Sequence, residues 1–203
     1  MSPDQAPAGR GRPRDPRTEQ AITDAARRLL AQDGYDQVSI EAIAREADVS
    51  RPTVYRRWPS KTHLVFDAVF GAAEVGDVLA SSGDFDADLR RFVAGVFDFW
   101  RAPEVAAAAL GILADRHRDP ELFIRTQQLL DENTRAAFGE LVRAGIDQGV
   151  LDADADVEIA YDALVGTSFY IAQVLAAETV DAAADRLCSL LLQGMRKKED
   201  RDE

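Results

Sequence analysis

Between positions 51 and 57 the chain gathers Arg51, Thr53, Tyr55, Arg56 and Arg57, three guanidinium groups and two hydroxyls with no carboxylate among them. Such a run suits phosphate oxygens and the acceptors on base edges. An arginine can donate twice to guanine, and a threonine methyl can pack on the methyl of thymine. Side chains near the N-terminus of a helix lying in the major groove reach the bases, so Arg51 and Thr53 stand closest to base edges. Tyr55, Arg56 and Arg57 then fall to phosphates and fix register. Lys61, one residue after Ser60, adds a charge beside the free N–H groups of a helix start, a second phosphate clamp.

These side chains need a rigid mount, and the surrounding pattern supplies one. Ser39 can cap a short helix with Ile40, Ile43, Ala44 and Ala47 inward, and Ser50 a second with Val54 and Trp58 inward. Pro52 falls in that second helix's first turn, where its missing N–H does little harm. Ala44 is small enough for close crossing and Val49 plugs the turn, which are the requirements of a helix-turn-helix over about 39–58. Ser39 and Ser50, at the two helix starts, complete the candidate DNA-binding set. Before this pair, Ile22, Ala25, Ala26, Leu29 and Leu30 fall on one face of a helix that Thr18 can cap and that ends near Asp33-Gly34. After it, Ser60 caps a helix carrying Leu64, Val65, Ala68 and Val69, with His63 a polar residue of its first turn.

Beyond Gly71 the helices lengthen. The periodicity predicts one over 86–100, one after Pro103, one after Pro120 that includes Leu122, Phe123, Leu129, Leu130, Leu141 and Ile146, one over 156–178 and one over 180–196. No strand-like alternation competes, so the expected fold is all-α, a small N-terminal three-helix unit with a larger helical body. Phe92, Phe97, Trp100, Phe123, Phe169 and Tyr170 are as a group candidates to line an apolar ligand pocket, with His117, Gln127, Thr167 or Ser168 as its polar groups; taken singly, any one of them is better explained by plain core packing. Tyr161, Leu164, Val165, Ser168, Ala172 and Leu175 on one late helix, with Leu187, Leu190 and Leu191 on the last, form stripes that two copies can share in a four-helix dimer interface.

Charge alone argues the other way, because 24 basic and 36 acidic side chains leave a formal net charge of -12. The sum hides a division: residues 1–63 hold 11 basic and 9 acidic groups, net +2, leaving 13 and 27 in the remainder, net -14. Positive charge is concentrated where a duplex would be met, and the acidic body penalises any other docking. A single cysteine, Cys188, excludes an internal disulfide and a multi-cysteine metal site, consistent with a reducing, cytoplasmic setting. The N-terminus lacks the apolar core of a signal peptide, and the most apolar stretch, 163–177, is too short and too polar to span a membrane. G-x-G-x-x-G, P-loop, G-x-S-x-G and H-E-x-x-H motifs are all absent, so no enzyme, metal or cofactor is expected. The runs Asp84-x-Asp86-x-Asp88 and Asp152-x-Asp154-x-Asp156 begin like calcium loops but lack the later glycine and glutamate, and read as acids at helix starts. His117 reads as a cation at a helix C-terminus.

Residues 1–17 are rich in Pro, Gly and Arg and should form a basic arm. Within it, Gly9-Arg10-Gly11-Arg12-Pro13-Arg14 is similar to an AT-hook core, in which glycine lets the chain lie deep in a narrow minor groove while Arg10, Arg12 and Arg14 reach its acceptors.

Taken together, residues 18–70, about a quarter of the chain, resemble the DNA-binding domain of the TetR/AcrR family of bacterial transcriptional regulators. The resemblance rests on Ala25–Leu30, on Gly34-Tyr35, on Ser39-Ile40-x-x-Ile43-Ala44 and above all on Val49-Ser50-x-x-Thr53-Val54-Tyr55-x-x-Trp58-Pro59-Ser60-Lys61-x-x-Leu64. Asp48 replaces the glycine common in the family's turn and Trp58 its usual phenylalanine; Asp tolerates a left-handed backbone better than most residues. The resemblance implies a homodimer on a near-palindromic double-stranded operator, and a variable C-terminal regulatory and dimerisation domain over 71–203. The function it implies is a repressor released by a small-molecule effector; a ligand-independent regulator or an architectural DNA binder is the alternative.

Overall fold

The computed structural model describes residues 16–71, 82–128, 132–175 and 180–196. Helix α1 (Pro16–Asp33) buries Ile22, Ala25, Ala26 and Leu30, the three-and-four spacing of a single apolar face. It begins two residues before the expected cap at Thr18. Pro16 takes the first turn, where a missing N–H leaves no bond unmade, and Arg17 therefore belongs to the helix and not to the arm. Gly34 ends it at φ +76°, donating its N–H to the Leu30 carbonyl at 3.0 Å.

Helix α2 (Ile40–Glu46) starts as its sequence requires, with Ser39 Oγ accepting from the Ala42 N–H at 3.2 Å. In the turn, Asp48 adopts φ +53°, the one positive φ outside glycine among the described residues, and the Val49 N–H returns to the Ala44 carbonyl at 2.9 Å. Helix α3 (Arg51–Tyr55) differs from expectation at both ends. Ser50 makes no side-chain cap; its hydroxyl lies 2.9 Å from that of Thr53. Trp58 lies beyond the helix, which stops at Tyr55, because a residue before proline is pushed out of helical backbone by the Pro59 ring. Its side chain is inward all the same, 1% exposed.

Helix α4 (Lys61–Phe70), capped by Ser60 Oγ accepting from the His63 N–H at 3.3 Å, packs against both α1 and α6 and so is buried nearly all round. The body follows as α5 (Phe85–Arg101), α6 (Pro103–Arg116), α7 (Pro120–Gln127), α8 (Asn133–Asp147), α9 (Val157–Phe169) with a π-helical continuation Tyr170–Leu175, and α10 (Val180–Met195). Of the helix expected after Pro120 the described residues give α7 and α8, with Gln128 and Glu132 both keeping right-handed helical dihedrals between them; Leu129 and Leu130 lie outside the described residues. The long α5 is the central strut, packed on α6, α8, α9 and α10. Phe92 meets Phe138 at 5.5 Å between ring centroids, and Phe138 meets Tyr161 at 5.8 Å. The acidic runs are helix starts: Asp84 accepts from the Ala87 N–H and Asp156 from the Ile159 N–H, each at 3.1 Å. His117 is the C-cap of α6. No helix among the described residues is long and apolar enough to cross a membrane.

Candidate nucleic-acid interface

Helix α3 is pinned by one fully buried side chain, Val54, which turns the rest of its surface outward. Arg51, Arg56 and Arg57 are exposed, Tyr55 is 47% exposed and Thr53 is half-buried, so the five donors share the solvent-facing side of the N-terminal unit, the reader. Their charges are not equally available. Arg51 is ion-paired with Glu41 in the first turn of α2, and Arg57 with Glu19 near the start of α1 while lying 5.6 Å from the Trp58 ring centroid. Arg56 has no partner among the described residues. The absence of acids within α3 is therefore offset by carboxylates from its neighbours, which the pattern of residues 51–57 alone does not disclose. Ser39 is half-buried in its cap and Ser50 is exposed. Arg10, Arg12 and Arg14 lie outside the described residues.

Lys61 is placed differently from expectation. Its ammonium donates to the Tyr35 carbonyl at 2.8 Å and sits 4.2 Å from the Tyr35 ring centroid, so this half-buried cation is turned toward α1 and the loop after it. A carbonyl and a ring face together satisfy it, and a phosphate would have to displace them.

Lys61 belongs to a polar seam between reader and body that runs along α4. At one end the Trp58 indole N–H donates to Asp67 Oδ2 at 2.7 Å, while Arg125 of α7 pairs with the other oxygen of Asp67 and lies 5.3 Å from the Phe66 ring centroid. At the other end Asp115 of α6 accepts from the Tyr35 hydroxyl at 2.7 Å and the Thr62 hydroxyl at 2.9 Å. The Tyr35 hydrogen bond holds the Asp115 carboxyl below its usual range, with Thr62, Arg118 and Lys61 acting in the same direction against the cost of burial. Burial is the main cause that pushes the Tyr35 phenol well above its ordinary value. His63, buried, sets Nδ1 2.8 Å from Ser60 Oγ and Nε2 3.6 Å from the Asp119 carboxylate that caps α7. Close approach is possible because position 111 is glycine: a Cβ there would lie 2.4 Å from Tyr35 Cδ1. Sequence reasoning missed this seam, although Asp67, the lone acid of α4 and set in the apolar run after His63, signals a buried partner.

The residues proposed for one pocket fall into separate places. Phe92 is core. Trp100 packs edge-on against Phe169 at 5.0 Å, and Phe99 joins it through Phe70 to Phe66 at centroid separations of 5.1, 5.8 and 5.2 Å, an aromatic file from α9 to α4. His117 and Phe123 form a distinct exposed pair with ring centroids 6.5 Å apart, and the Arg116 guanidinium lies 5.2 Å from the Phe123 centroid. Gln127 and Tyr170 are exposed, Thr167 is half-buried, and Ser168 is buried with its hydroxyl on the Val165 carbonyl. Phe97 lines a groove of about 210 Å³ between α5 and α10 with Arg90, Asp98, Asp185 and Cys188, whose thiol burial pushes up. The expected dimer stripe also divides. Tyr161, Leu164, Ser168, Leu187 and Leu191 are buried inside the protomer and Val165 and Ala172 pack against its core, because α9 and α10 turn those faces to α5; Leu175 and Leu190 remain 54% and 64% exposed. Ile159, Tyr170 and Val174 are exposed with them.

Comparison with known proteins agrees with this two-part build. The family model for bacterial regulatory proteins of the tetR family matches residues 22–68, and that for the tetracyclin repressor-like C-terminal domain matches residues 79–191. The HTH-type transcriptional regulator YdeS of Bacillus subtilis is 26% identical over 92% of this chain and 94% of its own length. A crystal structure of a TetR family transcription regulator aligns with TM-score 0.69 at 28% identity, over 89% of this chain and 99% of the other. The transcriptional regulator FadR from Bacillus subtilis, solved in complex with stearoyl-CoA, shares the fold with TM-score 0.66 at 19% identity, over 87% of this chain and 99% of its own.

Proposed function

The chain belongs to the TetR family of bacterial regulatory proteins, and from that premise we propose that it is a dimeric repressor, acting in the cytoplasm, which a small apolar effector releases from a near-palindromic operator. The observation that carries the DNA half of this reading is the outward donor face of α3 on a chain otherwise strongly acidic. Arg51 and Thr53 meet base edges, Tyr55, Arg56 and Arg57 meet phosphates with Ser39 and Ser50 beside them, and Arg10, Arg12 and Arg14 enter the flanking minor groove. Lys61 serves the seam first.

Dimerisation takes the exposed apolar side chains that α9, its π-helical continuation and α10 leave uncovered, Ile159, Tyr170, Val174, Leu175 and Leu190. The effector half is supported by the acyl ligand of FadR, a protein of the same fold, and by the aromatic file that leads from Trp100 and Phe169 to Phe66 in α4. A ligand that separates those rings shifts α4 and with it the spacing of two readers. This requires a differential affinity of roughly 1–3 kcal/mol between the bound and released states.

Selection of duplex from a random pool should return paired half-sites about 34–36 Å apart, or a multiple of that. Sedimentation should find a dimer that Leu175→Glu with Leu190→Glu dissociates. A monomer at micromolar concentration, or a single unpaired site, would remove the dimeric reading. If long-chain acyl-CoA and other apolar ligands all leave operator affinity unchanged, the effector does not belong to the mechanism.

A further inference from the structure

Arg51, the first residue of α3, does not present a free charge to DNA: Glu41 of α2 already holds its Nη2. Glu41 lies in the first turn of α2, where the positive end of the helix favours a carboxylate. Both side chains stay about half exposed, 57% for Arg51 and 47% for Glu41, so the pair sits at the surface a duplex would touch.

We propose that Glu41 is a specificity-determining positioning residue, which makes Arg51 choose a base edge over a phosphate. The proposal rests on the placement of Arg51 at base edges given above. A guanidinium paired with a carboxylate is close to neutral as seen by a phosphate, so it releases few counterions and gains little from nonspecific contact. Its directional donors survive the pairing. Guanidinium carries five N–H groups, and one contact to Glu41 leaves the others to meet guanine O6 and N7, which are neutral acceptors and do not need a net charge opposite them. A carboxylate beside the duplex also repels phosphate, so sliding Arg51 off its base onto the backbone brings Glu41 against like charge. Pairing therefore lowers nonspecific affinity more than specific affinity. Arg56, without such a partner among the described residues, is the complementary case, a plain anchor.

Full-length protein, Glu41→Gln, Arg51→Ala and the double variant are titrated against a duplex selected from random sequence by the native protein and against a scrambled duplex, over a series of salt concentrations. Glu41→Gln should tighten binding to the scrambled duplex roughly ten-fold, steepen its log–log salt slope by about one, and lower the ratio of specific to nonspecific affinity several-fold. In the Arg51→Ala background Glu41→Gln should leave the ratio of specific to nonspecific affinity unchanged, since there only its uniform repulsion of phosphate is lost. An unchanged ratio and slope in the single variant overturns the proposal. So does an equal loss in both backgrounds, which would mean that Glu41 reads a base by itself. If Arg51→Ala leaves the ratio intact, the base-edge placement of Arg51 fails, and the proposal with it.

Discussion

Charge is handled in opposite ways on the two sides of α4. On the reader face, Arg51–Glu41 and Arg57–Glu19 are exposed pairs whose four side chains keep between 37% and 57% of their surface in water. On the seam, Asp67 and Arg125 are 23% and 31% exposed, and Asp67 also accepts from a buried indole. Exposed pairs contribute about 0–1 kcal/mol and lose strength in salt, so they can be exchanged for phosphate at small cost. A shielded carboxylate serving two donors cannot be exchanged without leaving one of them unpaired. The face is built for trading partners and the seam for keeping them. A regulator needs both, since DNA contacts must form and break while the link between reader and body holds its geometry.

Removing Asp67 is the severest way to test this contrast. Asp67→Ala strands the Trp58 N–H and the Arg125 guanidinium together, and should cost about 2–4 kcal/mol in urea unfolding. A loss under ~0.5 kcal/mol would erase the distinction between seam and face. Arg51→Ala should act in the other direction, weakening operator binding by about 1–3 kcal/mol in a titration while leaving the unfolding midpoint unchanged.

Asp115→Asn sharpens the seam's role through pH. The Asp115 carboxyl is lowered in the folded protein, so the unfolded chain takes up the proton first and the stability it lends is complete above the unfolded carboxyl's pKa. That stability is lost as pH falls through the lower folded value. The urea unfolding free energy of Asp115→Asn should therefore lie about 1 kcal/mol below the native protein's at neutral pH and approach it below about pH 4. A constant difference at all pH values would show that Asp115 acts through packing alone. The smallest effect belongs to Glu19→Gln, which should change stability by no more than ~0.5 kcal/mol.

The contrast also explains what was legible in the sequence. Ser39, Asp48, Gly34 and the stripe Ile22–Leu30 act through local rules of capping, handedness and period, so their roles follow from neighbours within a few residues. The end of α3 was legible in principle, since Pro59 restricts Trp58, but an inward tryptophan at helical spacing masked it. Seam residues gain meaning only from partners far away in the chain: Asp67 from Arg125, Tyr35 from Asp115. The apolar stripes of α9 and α10 show that something covers Tyr161, Leu164 and Leu187, yet a stripe has the same pattern whether α5 or a second copy covers it. Aromatic residues likewise report burial and not company, which is why the rings assigned to one pocket lie apart.

Gly111 gives this arrangement a gauge. The spacing of α6 from the Tyr35 ring is set by a missing carbon, since a methyl placed there would lie 2.4 Å from the ring. Tyr35 in turn supplies the hydroxyl that Asp115 receives and the carbonyl that Lys61 holds. A one-carbon wedge at position 111 therefore levers the reader away from the body without touching a DNA-facing side chain or an effector. The working distance between sensing and reading is thus recorded in this protein as a methyl group left out, whose place the Tyr35 ring takes.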